Sequence, residues 1–145
     1  MEKREAALEL LEKMRKLRKT RPHQVITDSL HGEAYILEYI SLQPEGIIPR
    51  DISREMNISS ARVAMSLNRL EEKGLITRRP DTLDRRRILV TVTEKGNCTA
   101  ENMRNSVLEH AVKILDLLGE QDATEYLRIT GKLVDLISSC VITGE

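Results

Sequence analysis

The chain has 145 residues, with 23 Lys+Arg against 23 Asp+Glu, three Tyr, two Cys and neither Phe nor Trp. That length suits one compact unit burying about 70% of its unfolded surface, and 32% charged with 40% hydrophobic residues reads as soluble and helix-rich. A membrane span is excluded by the lack of a run of about 18 apolar residues; no apolar stretch follows the charged start, as a signal peptide requires.

Residues 2–19 are strong helix formers with Ala7, Leu10, Leu11, Met14 and Leu17 on one stripe, an apolar face that needs a partner. Thr20 to Ser29, which contains Pro22, reads as a break. Residues 30–43 read as a second helix, with Leu30, Ala34, Leu37 and Ile40 or Ser41 in period and Tyr35 and Tyr39 one turn apart. Pro44-Glu45-Gly46 ends it. Pro49 suits the first turn of a short third helix in which Ile52 and Met56 face the same way. Asn57-Ile58-Ser59 is a tight connection, and Ser59 is placed to cap a fourth helix running to Lys73, with Gly74 at its C′ position.

The apolar period then changes from about 3.6 to about 2. Leu75-Ile76-Thr77-Arg78-Arg79 and Ile88-Leu89-Val90-Thr91-Val92-Thr93 read as two strands joined by a polar, Pro-containing loop. Helical periodicity returns from about Glu94 to Leu118, with Val107, Ala111, Ile114, Leu115 and Leu118 as its stripe. Gly119 ends that segment, and residues 121–141 form a last helix through Leu127, Leu133, Val134, Ile137 and Val141. The fold class is mainly α with a small β-hairpin.

Zero net charge is an average over alternating blocks. Residues 1–24 carry 8 basic and 4 acidic side chains, residues 25–49 none and 4, residues 50–95 11 and 7, and residues 96–145 4 and 8. Within the third block Arg78, Arg79, Arg85, Arg86 and Arg87 lie close together, with Asp81 and Asp84 between them. A local basic patch is what phosphate binding needs, whatever the total.

Two short helices joined by a tight turn and followed by a hairpin with a basic tip describe a winged helix-turn-helix. In that module the second helix enters the major groove and the wing reaches the flanking minor groove. Val63, Leu67 and Leu70 should pack inward, whereas Arg62, Ser66 and Arg69 share another face at the same spacing. Arg donates two bonds to a guanine edge or clamps a phosphate, and Ser does either more weakly. Ser59 and Ser60 stand at the helix N-terminus, where the dipole and free N–H groups favour a phosphate. Glu71 and Glu72 are repelled by phosphate, which confines contact to the N-terminal two-thirds of the helix. The scarcity of aromatics counts against single-strand readers, which need stacking platforms.

On these residues the chain resembles the multiple-antibiotic-resistance regulator (MarR) family of transcription factors. The resemblance rests on Arg69-Leu70-Glu71-Glu72-Lys73-Gly74-Leu75-Ile76-Thr77-Arg78, on Pro80-Asp81, and on the segment from Asp84 to Gly96. The family's wing signature is Asp-x-Arg, three further residues, Val, then an alternation ending in Thr; Asp84, Arg86, Val90 and Thr93 match it. The resemblance implies that Arg86 enters the minor groove, where narrow A·T-rich stretches attract a cation. Asp84 is suited to orienting a neighbouring arginine, Arg85 and Arg87 reach either backbone phosphates or solvent, and Arg78 is similar to a position that supports the wing. Met65 departs from the family, since a polar or basic residue is usual there.

The family arrangement implies an N-terminal dimerisation helix and linker over residues 1–29, a winged helix-turn-helix over 30–96 and C-terminal dimerisation helices over 97–145. The expected partners are a second copy of the chain and double-stranded DNA with a pseudo-palindromic operator, in a cytoplasmic repressor. Family members also answer to small aromatic or lipophilic effectors in a cleft; Met14, Tyr35, Ile36, Tyr39 and Ile40 fit either such a cleft or ordinary core. A thiol- or metal-responsive regulator of the same fold is the alternative, yet Cys98 and Cys140 suit a reducing cytoplasm, no Cys precedes Cys98, and His23, His31 and His110 lack metal-ligand spacing. A winged helix used only for protein interaction predicts a wing poor in arginine. No phosphate loop, His-x-x-x-His pair or nucleophile elbow points to an enzyme, and no cofactor is expected.

Overall fold

In the computed structural model, which describes residues 2–143, the chain order is α1 (Lys3–Arg18), α2 (Arg21–Ser29), α3 (Gly32–Ser41), α4 (Pro49–Met56) and α5 (Ser60–Glu72), then β1 (Ile76–Pro80), β2 (Ile88–Val92) and α6 (Glu94–Thr143). Met1 and the last two residues of the 97–145 segment lie outside the described residues. Inside α6, Gly119 is non-helical (φ 79°, ψ 166°), so the segment is two helices meeting at the glycine that the periodicity marks as a stop.

The segment from Thr20 to Ser29, expected as a break, is instead helix α2. Pro22 stands in the first turn, where its missing N–H is not needed and its fixed φ suits the helix. The break is confined to Thr20, whose hydroxyl and N–H both donate to the Leu17 carbonyl as α1 ends. Leu30, expected on the stripe of the next helix, falls between α2 and α3 and is 65% exposed. The turn through Gly32 (φ 68°) delays α3, whose buried face is Ile36, Leu37 and Ile40.

These three side chains form the centre of one core with Ile52 of α4, Val63, Leu67 and Leu70 of α5, Leu75, Ile76 and Val90 of the hairpin and Ala100 of α6. Burying each of the larger ones is worth about 1.5–3 kcal/mol. The hairpin is antiparallel, with Ile76 opposite Val92 and Pro80 opposite Ile88. Ile47 adds to its edge through reciprocal bonds with Val90 of 2.9 and 2.8 Å. Gly46 makes that approach possible: at φ 84°, a Cβ there would lie 2.9 Å from both Leu89 and Thr91 side chains.

Helix α6 begins at a junction of three segments. The Thr93 hydroxyl accepts the Gly96 N–H at 3.0 Å and donates to the Gly74 carbonyl at 2.7 Å, while Lys95 Nζ donates to the Lys73 carbonyl at 2.9 Å. Thr93, Lys95 and Gly96 therefore fasten the end of α5 to the start of α6. From there α6 packs along α2 and α3.

Gly96 is buried, and a Cβ on it would stand 2.0 Å from the Leu75 carbonyl oxygen and 2.7 Å from Val92. Gly96→Ala is expected to lower unfolding free energy by about 1–3 kcal/mol through overpacking against backbone that cannot rotate away. Urea denaturation checks this; a midpoint equal to wild type would show that the junction yields freely.

Candidate nucleic-acid interface

Ser59 caps α5, its Oγ accepting the Arg62 N–H at 3.2 Å. Val63, Leu67 and Leu70 are all buried, which fixes the rotation of the helix about its axis. Ser60, Ala61, Arg62, Ala64, Met65 and Arg69 are consequently exposed, and Ser66 is half-buried. The small residues of the first turns leave room for a surface to approach the backbone. The Ser59 hydroxyl proton stays available to a phosphate while its oxygen serves the cap.

The C-terminal half of α5 is held by carboxylates. Glu33, in the first turn of α3, accepts from Lys73 Nζ at 2.8 Å and lies 3.5 Å from Arg69 Nη1. The Lys73 ammonium bonded to it, with Arg69 beside it, holds the Glu33 carboxyl below the usual carboxylate range. Arg78, which the sequence groups with the basic patch and likens to a wing-supporting position, turns toward α5. Its guanidinium donates to Asn68 Oδ1 at 2.7 Å and to both Glu71 oxygens at 3.0 and 3.3 Å. Arg78 is a brace between the hairpin and α5, in keeping with a wing-supporting position.

The wing loop is shaped by two aspartates. Asp81 Oδ1 accepts the Leu83 N–H at 3.1 Å, and Asp84 Oδ1 accepts both the N–H and Nε of Arg86 at 3.1 and 3.2 Å. The second pair draws the Asp84 carboxyl below its ordinary value. The Arg86 side chain is nevertheless 92% exposed, so it is aimed by Asp84 without being covered. Arg87 lies 3.9 Å from Asp81, and Arg85 is exposed.

Two further arginines, missed in the sequence, join this surface. Arg50 and Arg54 of α4 line a groove of about 480 Å³ with Arg87 and Ile88 of the wing, and Asp51 is its one acidic lining residue. Their i, i+4 spacing after Pro49 was the available signal, since it places both on one helix face.

The expected effector cleft is not gathered as one cavity. Ile36 and Ile40 are fully buried in the core and Tyr39 packs against it, while Tyr35, with Ile36 at its floor, borders a groove beside Arg62, Met65 and Arg69. Met14 is 56% exposed on α1. A different, mostly apolar cavity of about 370 Å³ opens between α3 and α6, lined by Ala34, Met103, Val107 and Ala111 with Glu38 and Arg104. Among the described residues no three His, Cys, Asp or Glu are grouped to hold a metal ion, and no helix is long and apolar enough to cross a membrane.

Arg78→Gln is expected to cost about 1 kcal/mol of stability by releasing Asn68 and Glu71, the small value set by their exposure. A double-mutant cycle with Glu71→Gln checks it, with a coupling near zero counting against the brace.

A model of the MarR family matches residues 26–87, from α2 to the end of the wing loop. The chain is 29% identical over 101 residues to the HTH-type transcriptional repressor MdtR of Bacillus subtilis, a match covering 69% of this chain and 65% of MdtR. Across the first curated relatives the chain spans about 60–65% of their length. Among solved structures it resembles YusO from Bacillus subtilis, at 20% identity and a TM-score of 0.75, covering 93% of this chain and 99% of YusO. It also resembles the MepR–DNA complex of S. aureus, at 22% identity and a TM-score of 0.67, covering 88% of this chain and 96% of MepR. These likenesses share one fold, a winged helix-turn-helix between terminal helices, and the MarR family model is similar to the part of the chain that holds the helix-turn-helix and the wing loop.

Proposed function

We propose that the chain is a homodimeric transcriptional regulator, a repressor that binds double-stranded DNA in the cytoplasm and is not an enzyme. The observation that carries the reading is the arrangement of cations on three consecutive elements. Arg62 and Arg69 stand on the exposed side of a helix whose other side is core, Arg86 is held out from the wing by Asp84, and Arg50, Arg54 and Arg87 surround the groove between α4 and the wing. A helix of this kind fits the major groove, a basic wing the minor groove, and a basic first helix the backbone. MdtR, a relative, is named a repressor, and MepR has been seen on DNA.

The same reading assigns residues 1–29 and 97–145 to dimerisation, with 30–96 as the DNA-binding head. Leu8, Leu10, Leu11 and Met14 on α1 and Leu127, Leu133, Val134 and Ile137 on α6 are each between 52% and 62% exposed in the single chain. Covering such residues with a second copy gains up to about 1.5–3 kcal/mol each. A two-fold dimer in turn reads a pseudo-palindromic operator. The cavity between α3 and α6 supports a small lipophilic effector with one polar group, held where head and terminal helix meet.

Operator fragments selected from genomic DNA by the purified protein supply the test. Arg86→Ala is expected to weaken operator binding by about 1–3 kcal/mol with an unchanged melting temperature. Arg50→Ala and Arg54→Ala should each weaken binding on all sequences and reduce the salt slope by about 1. Wild-type protein that selects no fragment at low salt sinks the reading. In sedimentation the free protein is expected to run as a dimer at micromolar concentration, and a stable monomer overturns the assignment of the terminal helices.

A further inference from the structure

Glu33 stands outside the recognition helix and outside the wing, yet it touches two of the cations that α5 presents. Its side chain is 24% exposed, with one carboxylate oxygen 2.8 Å from Lys73 Nζ and the other 3.5 Å from Arg69 Nη1. One acidic residue thereby faces two basic ones, each of which remains more than half exposed. Arg62, two turns earlier on α5, enters no ion pair among the described residues, so the pairing is confined to the C-terminal half of the helix.

The two contacts differ in strength in a useful way. Lys73 is bonded at full strength, while Arg69 sits at the outer limit of a hydrogen bond and keeps four other guanidinium N–H groups unspent. An exposed ion pair is worth about 0–1 kcal/mol. A bidentate arginine–guanine contact is worth about 1–3 kcal/mol of discrimination. A base edge of the right kind therefore outcompetes Glu33 for Arg69, whereas a lone phosphate gains little by doing so and meets the carboxylate's repulsion as well.

We propose that Glu33 is a specificity-determining residue, an internal counter-ion that withholds Arg69 and Lys73 from the phosphates of non-cognate duplex and releases Arg69 to a matching base. The proposal rests on the DNA-binding reading above. Removing the Glu33 charge frees two cations, and each phosphate neutralised on duplex DNA adds about 0.9 to the slope of log affinity against log salt.

The experiment measures affinity of the full chain for a random-sequence duplex and for a selected operator over a range of salt. Glu33→Gln is expected to steepen the random-duplex slope by up to about 1.8 and to tighten that binding roughly tenfold at low salt. Operator binding should tighten less, so the specificity ratio falls. A purely structural role for Glu33 would lower the melting temperature and weaken both affinities without steepening the slope. Arg69→Gln with Lys73→Gln provides the second arm: the pair of changes should reduce the slope clearly in the Glu33→Gln background and little when Glu33 is present. An unchanged slope in Glu33→Gln overturns the proposal, as does an equal loss from the Arg69/Lys73 changes in both backgrounds. Wild-type protein that binds neither duplex overturns the DNA-binding reading, and the proposal with it.

Discussion

Three segments of backbone meet at Leu75, and the position of the wing depends on that meeting. The Leu75 N–H closes the end of α5 on the Leu70 carbonyl at 3.0 Å, and its own carbonyl accepts the Thr93 N–H at 3.0 Å. Gly96 lies against the same carbonyl, and it can do so because it has no side chain. The last turn of α5, the base of the hairpin and the first turn of α6 are thus one joint. A two-stranded hairpin is marginal alone; here it is anchored at its base by Leu75 and Ile76, along its edge by Ile47, and on its flank by the Arg78 guanidinium. Arg86 inherits its position from these fixings.

The second organising constraint is electrostatic. Arg69, Arg78, Arg86 and Arg87 each lie within 4.0 Å of a carboxylate of the same head, from Glu33, Glu71, Asp84 and Asp81 respectively. None of these pairs contributes much stability at its exposure. What they do is let a dense set of guanidinium groups coexist in one small domain without mutual repulsion, and set the direction of each. The pairing still leaves residues 50–95 with 11 basic against 7 acidic side chains, an excess that other segments of the chain balance.

Much of this was legible in the sequence, and the reasons differ by residue. The inward face of α5 followed from the spacing of Val63, Leu67 and Leu70, its start from Ser59 and its end from Gly74, all local rules that tertiary context left standing. Pro22 misled because proline ends one helix and opens another with equal ease, and only the packing of α2 on α6 decides which. Tyr35, Ile36, Tyr39 and Ile40 occupy adjacent stripes of α3, and periodicity alone does not say which stripe meets the core. Arg78 was grouped with the wing cations because the partners that turn it inward, Asn68 and Glu71, belong to another element. Arg50 and Arg54 were overlooked for the opposite reason, being separated in sequence from the arginine run that they join in space.

Gly119 has a mechanical consequence. Its backbone sets the angle between the two halves of α6, and beyond its immediate chain neighbours no described residue lies within 4 Å of where a side chain would be. The segment beyond it is a lever: at about 1.5 Å per residue it reaches about 36 Å by residue 143, so a 10° change of direction at the glycine moves its far end by about 6 Å. That displacement exceeds the rise of one base pair, about 3.4 Å. A single pair of dihedral angles, far from every arginine of the head, therefore has the leverage to set where a surface borne on that arm comes to rest.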